Sequence, residues 1–212
     1  MSKVDFINNA LAGHDGVKEF EWLTDDIILI KNHDYTNNFM AGILWEQLVE
    51  PHHVGPLVKH HVSFISNIPK IGLWSGAAIN ICEANHVAWG RFGALLSACG
   101  SRDDPRNHVD KEIGFARTAL EQHSSVTALE FIFHKLFKLH LRSGISVRVA
   151  LVNDYDITSA EVRSAKKWLG DFDLILKNNP NGRITADANS AAESIGVKIM
   201  KIGDLMKHLA SL

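Results

Sequence analysis

The sequence predicts an α/β protein: a Rossmann-like, mostly parallel sheet of about six strands with helices on both faces. It reads as a single domain over residues 1–212, with a helical insertion at about 105–143. Three observations carry this expectation. Short apolar runs alternate with amphipathic stretches along most of the chain, a pattern that right-handed crossovers turn into a parallel sheet. Four of those runs end in asparagine, at Asn32, Asn67, Asn153 and Asn178. Finally, residues 145–202 read as strand, loop, helix, strand, loop, helix, strand, and the two loops are alike: each begins with Asn and closes on an Ile-Thr pair, Ile157-Thr158 and Ile184-Thr185.

The elements follow in order. Residues 4–11 form a short amphipathic piece, Gly13 and Gly16 make a turn, and Phe20 and Trp22 are core anchors. Residues 26–31 are a continuous apolar run bounded by polar residues, as in a strand buried on both faces. A helix is expected over 39–49, stopped by Pro51, and a His-rich connection leads to a strand at 62–66. The loop from Asn67 ends at Ser75, an N-cap for a helix over 76–84. A short strand at 86–89 and a helix over 94–99 precede the loop 100–105, rich in Gly, Asp and Pro. Two helices are expected next, over 109–122 and 127–141, the second apolar on most of its circumference. The strand at 146–152 leads to a helix capped by Thr158, with Glu161 completing a capping box. The strand at 173–177 leads to a helix capped by Thr185, and a strand at 197–202 and a helix over 203–212 close the chain.

Composition bounds the function. The chain is 46% hydrophobic and 22% charged, and its 22 Lys and Arg nearly balance 24 Asp and Glu. No global charge imbalance argues for a polyanionic partner or a membrane surface. No apolar run is long enough to span a bilayer and the first residues lack a signal-peptide core, so a cytoplasmic location is expected. Cys82 and Cys99 form no metal-binding spacing and read as buried free thiols. Among the histidines, His52-His53 and His60-His61 are adjacent pairs whose members point apart in regular structure, and no HExxH spacing occurs.

In a parallel α/β sheet, ligands bind beyond the carboxyl ends of the strands. That rule makes Asn32, Asn67, Asn153 and Asn178 candidate ligand-binding residues, although Asn at a strand end also serves simply to build a turn. The segment 178–185 adds Asn181, Gly182 and Arg183, where a permissive glycine, helix-start amides and a planar guanidinium suit carboxylate or phosphate. Neither a Walker loop nor GxGxxG is present. Asp154 and Asp156 are candidate catalytic residues, as a base or as ligands to a divalent cation, the cofactor such oxygens would suit; the alternative is that Asp156 supports the helix start by its charge. His33 is a third candidate acid or base. Lys70 and Ser75 complete the ligand-binding set, with Trp74 beside them as core or as a ring contact.

The expected function is therefore binding of a small anionic or nucleotide-like ligand at the strand-end rim, with hydrolysis or transfer as the chemistry it could support. Two alternatives remain open. His134, Lys138 and Arg142 recur every four residues and would form a basic stripe on a helix over 127–141, suited to the phosphates of a nucleic acid in a metal-dependent nuclease. The apolar remainder of that helix would instead suit a homodimer interface in a non-catalytic module.

Residues 173–209 resemble the last third of Mrr-like restriction endonuclease domains. The likeness rests on a strand, a Thr-led helix with Ala188, Ala191 and Ala192, a Gly196-Val197 strand start and a terminal Leu-rich helix. It covers under a fifth of the chain. The Asp and Glu-x-Lys pair that would carry nuclease chemistry in that family is not found after Asp154 or at 173–177.

Overall fold

A computed structural model describes residues 2–32 and 38–212. The chain divides into two compact units, Met1–Asp110 and Lys111–Leu212, where the sequence suggests one domain.

The N-terminal unit begins with α1 (Lys3–Ala12), whose Ser2 cap and Asp5 form a capping box. Three strands follow, β1 (Val17–Trp22), β2 (Ile27–Asn32) and β3 (Phe39–Leu44), and then the two-residue β4 (Leu48–Val49). After α2 (Pro51–Lys59) come β5 (Phe64–Asn67), β6 (Leu73–Trp74), α3 (Gly76–Ala84), β7 (Ala88–Arg91) and α4 (Phe92–Cys99). The main sheet has the order β1-β2-β3-β5-β7, and β4 pairs with β6 in a separate two-stranded ladder. β1, β2 and β3 are antiparallel neighbours, while β3, β5 and β7 run parallel. The core packs Ile7 and Leu11 of α1 with Ile28, Ile43, Phe64 and Leu95, all fully buried.

The C-terminal unit repeats this plan. It runs α5 (Lys111–Glu121), β8 (Val126–Phe133), β9 (Leu136–Leu141), β10 (Ser146–Val152), α6 (Ser159–Leu169), β11 (Leu174–Lys177), α7 (Ala186–Ser194), β12 (Lys198–Lys201) and α8 (Ile202–Ala210). The sheet order is β12-β11-β10-β9-β8, with β8, β9 and β10 antiparallel and β10, β11 and β12 parallel. Ser75, Thr158 and Thr185 cap their helices as expected, and Thr158 and Glu161 form the capping box. Cys82 and Cys99 are free and buried, and burial pushes each thiol up to about 12.

The expected single, mostly parallel six-stranded sheet is therefore corrected. The protein is α/β, but among the described residues three sheets form, and the two large ones are mixed. Three local misreadings explain the difference. Residues 39–44 form a strand, not a helix, because Ala41, Gly42, Ile43 and Leu44 are all buried between β2 and β5, and only the flat pleat suits neighbours on both sides. Pro51 starts a helix rather than stopping one: it lies in the first turn of α2, where its missing N–H costs nothing. Residues 126–141 form the β8–β9 hairpin in place of the expected helix, so the helical part of the region 105–143 is reduced to α5 and a single 3-10 turn, Pro105–Asn107.

The hairpin also removes the helix face proposed for a homodimer and the basic stripe proposed for nucleic acid. His134 is buried at the turn, Lys138 faces Glu130 across the ladder, and Arg142 lies beyond β9, donating from Nε to the Ser124 carbonyl at 2.6 Å. Among the described residues, no helix is long and apolar enough to cross a membrane.

Candidate functional site

The strand-end candidates do not share one rim. Within the N-terminal unit, Asn32 ends β2, which runs opposite to β3 and β5, so Asn32 and Asn67 lie at opposite ends of the sheet. Asn67 is a loop clamp: its Oδ1 accepts from the Glu46 amide at 2.9 Å and its Nδ2 donates to the Glu46 carbonyl at 2.8 Å. Ser75 caps α3, and Lys70 is an exposed loop residue. Trp74 is fully buried against Trp89. His33 lies outside the described residues.

In the C-terminal unit the candidates separate into a clamp and a cavity. The clamp centres on Lys177, which no sequence motif marks. Its side chain is only 2% exposed. Its Nζ donates to the carbonyls of Asn181 at 2.6 Å, Tyr155 at 2.8 Å and Asn179 at 3.0 Å, with that of Asp154 at 3.4 Å. An ammonium has three protons, so these acceptors occupy it fully. Burial lowers the Lys177 pKa below the ordinary lysine value, and the neighbouring Lys201 charge adds to this while Asp156 and Asp154 oppose it.

Gly182 and Arg183 belong to the same clamp. Gly182 has φ +70°, and a Cβ there would stand 1.8 Å from the Tyr155 carbonyl oxygen. The Arg183 amide donates to Asp156 Oδ1 at 2.8 Å, and its side chain is 80% exposed with Nε 4.0 Å from Asp156 Oδ2. Asn181 donates from its amide to Asn179 Oδ1 at 3.0 Å. These residues hold the 153–157 and 178–185 loops together. Asp154 is exposed and Asp156 is committed to Arg183. Among the described residues, no three His, Cys, Asp or Glu side chains gather in a way that could hold a metal ion.

The cavity has a volume of about 610 Å³ and lies where the three parallel strands end. Val152, Lys177 and Lys201 are register partners across β10, β11 and β12. The residues that follow them, Asn153, Asn178 and Ile202, form its floor. Asn178 is 8% exposed, and its Nδ2 donates to the Glu112 carbonyl at 3.0 Å and to Asn153 Oδ1 at 3.2 Å, while its own Oδ1 has no partner. One wall is the start of α5, with Lys111, Glu112 and the exposed ring of Phe115. Another wall is the start of α8, where Lys201 occupies the N-cap position and supplies no side-chain hydrogen bond to the helix amides.

Asn153 and Asn178 therefore do line a cavity at the rim, as the strand-end rule predicts. Asn181, Gly182, Arg183, Asp154 and Asp156 are not among its lining residues. Lys111, Phe115 and Lys201 also line the cavity, and no sequence motif marks them. A usable signal was the Lys that closes the apolar run 174–177, since lysine at the end of a fully buried strand must find either water or carbonyls. Set against known protein families, curated proteins and solved structures, the chain matches none.

Proposed function

We propose that the C-terminal unit binds a small ligand carrying an anionic group and a flat apolar portion, of nucleotide-like size, in the cavity at the ends of β10, β11 and β12. The observation that carries this is the pairing of Lys201 and the uncapped start of α8 with the exposed Phe115 ring across a 610 Å³ cavity. Helix-start amides and a lysine favour negative charge, and an exposed aromatic offers a face for stacking. The amides of Asn153 and Asn178 supply hydrogen-bonding groups between the two walls. The volume falls in the range of small-molecule sites.

Lys177 takes no part in anion recognition, because its protons are spent on backbone carbonyls. Its role is to fix the loop that presents Asn178. Thermal unfolding in adenosine monophosphate and, separately, in inorganic phosphate tests the reading. A ligand present at 100 times its dissociation constant stabilises the folded state by about 2.7 kcal/mol. The midpoint should rise with nucleotide, rise less with phosphate alone, and lose the rise in Lys201→Glu. An equal rise in wild type and Lys201→Glu would refute the assignment.

A further inference from the structure

The two units share more than sheet order. From Phe64 to Cys99 and from Leu174 to Leu209 they run in step without a gap: β5 with β11, α3 with α7, β7 with β12 and α4 with α8. Ile65, Gly72, Ala78, Val87, Gly93 and Leu95 recur as Ile175, Gly182, Ala188, Val197, Gly203 and Leu205. Special roles coincide too. Ser75 and Thr185 are the N-caps, and His86 and Gly196 are the left-handed residues after the following helix, at φ 54° and 73°. Asn67 and Lys177 hold the same register position, and each ties its strand end to the backbone of the preceding crossover loop, at Glu46 and at Tyr155. Gly72 and Gly182 are both pressed against that loop, leaving no room for a Cβ.

The register that aligns the units also shows where they differ. Leu44, Asn67 and Arg91 are partners across β3, β5 and β7, as Val152, Lys177 and Lys201 are across β10, β11 and β12. The residues immediately after them are Trp45, Ile68 and Phe92 in the N-terminal unit, against Asn153, Asn178 and Ile202 in the C-terminal unit. Phe6 of α1, followed by buried Ile7 and Leu11, matches Phe115 of α5, followed by buried Ala116 and Leu120. In the N-terminal unit side chains occupy this place: Phe6 packs edge-on to the half-exposed Trp45 at 6.2 Å and against Phe92 at 5.3 Å, and Ile68 packs on the same core. In the C-terminal unit it is the cavity.

We infer that the chain is a tandem duplication in which the C-terminal copy keeps an open ligand site and the N-terminal copy has its equivalent site closed by side chains, with Asn153 and Asn178 as the positions that decide between the two. Two short amides at the strand ends leave space and polar groups, and a Trp and an Ile at the same register remove both. The ligand class rests on the binding reading above. The opening and closing of the two copies can be read without any ligand.

The test uses the full chain in three forms: wild type, N153W/N178I, and W45N/I68N. Without ligand, the filled variant should unfold cooperatively at or above the wild-type midpoint. Asn153 and Asn178 are replaced together, so neither amide is left stranded by loss of the other, and the one further bond given up, from Asn178 to the Glu112 carbonyl, is set against the added apolar packing. The opened variant should unfold several degrees lower, having lost packing around Phe6. With adenosine monophosphate, amide NMR shifts should move at Gly203 and Asn179 in wild type, vanish in N153W/N178I, and leave Gly93 unmoved in wild type. Matching responses at Gly93 and Gly203 in wild type would overturn the inference, as would undiminished binding by the filled variant or its failure to fold. If wild type shows no nucleotide response at any amide, the binding reading fails alone, and the midpoints still decide whether one copy is closed: equal losses in the two variants would sink it.

Discussion

The Lys177 ammonium donates to the Asn181 carbonyl at 2.6 Å and to the Tyr155 carbonyl at 2.8 Å, bridging two loops that belong to successive crossovers. A buried cation held only by carbonyl dipoles is worth keeping only if those carbonyls would otherwise be unpaired. Lys177→Met keeps the length of the stem and removes the donors. It should cost about 2–4 kcal/mol, since several buried acceptors are orphaned together. Chemical denaturation measures it, and a cost below about 1 kcal/mol would show that water replaces the ammonium.

Gly182 and Gly196 separate backbone conformation from steric exclusion. Both have positive φ, 70° and 73°, yet a Cβ at Gly196 meets nothing within 4 Å whereas one at Gly182 would collide with the Tyr155 carbonyl. Gly196→Ala should therefore cost about 1 kcal/mol, the left-handed penalty alone. Gly182→Ala should cost more than about 3 kcal/mol, because the two loops must part. Equal costs would mean that the loops adjust freely.

How far the fold was legible in the sequence follows from the same residues. The caps at Ser75, Thr158 and Thr185 were readable because a side-chain oxygen two or three residues before a free amide is a local rule. The two kindred loops were readable too, but their meaning was not: Asn181, Gly182 and Arg183 are a clamp around Lys177, and two of the four carbonyls about its ammonium, those of Tyr155 and Asp154, come from 22 and 23 positions away and leave no local pattern. Strand 39–44 was lost because a short apolar run has no period of its own, and the pairing that makes it a strand comes from Ile27–Asn32 and Phe64–Asn67. Asn153 and Asn178 follow parallel strands and so lie on the rim and line its cavity, whereas Asn32 does not, because its strand runs the other way.

Asp187 yields a pH prediction. It lies in the first turn of α7, where the Thr185 hydroxyl and then the Ser159 amide, at 3.2 Å, hold its carboxyl down to about 2. The unfolded value is near 3.9. A carboxyl lowered on folding contributes stability that is fully present above about pH 4 and is lost as the pH falls through about 2. Asp187→Asn should thus destabilise the protein at neutral pH, and the difference should close below about pH 2. Denaturant midpoints of both proteins across that range test it, and a gap independent of pH would assign the effect to something other than the charge.

The β8–β9 hairpin can be tested by the period of its mutational costs. Leu139 is fully buried, opposite Leu129 on one side and Val147 on the other, whereas its neighbour Lys138 is half-buried opposite Glu130. Alternation puts adjacent residues on opposite faces, so their costs should differ sharply. Leu139→Ala removes core volume and should cost about 2–5 kcal/mol. Lys138→Ala gives up one cross-strand charge pair and should cost less than about 1 kcal/mol. Phe137, fully buried and edge-on to Phe131 at 5.2 Å, should behave like Leu139 when changed to Ala, at about 3–5 kcal/mol. His140 is half-exposed and pairs with Glu130 across the ladder at 3.1 Å, so His140→Ala should resemble Lys138→Ala. High, low, high, low from 137 to 140, read by chemical denaturation, is the signature of a strand. A helix over the same residues would instead group the large costs at 137 and 141, three to four residues apart, with 139 among the small ones.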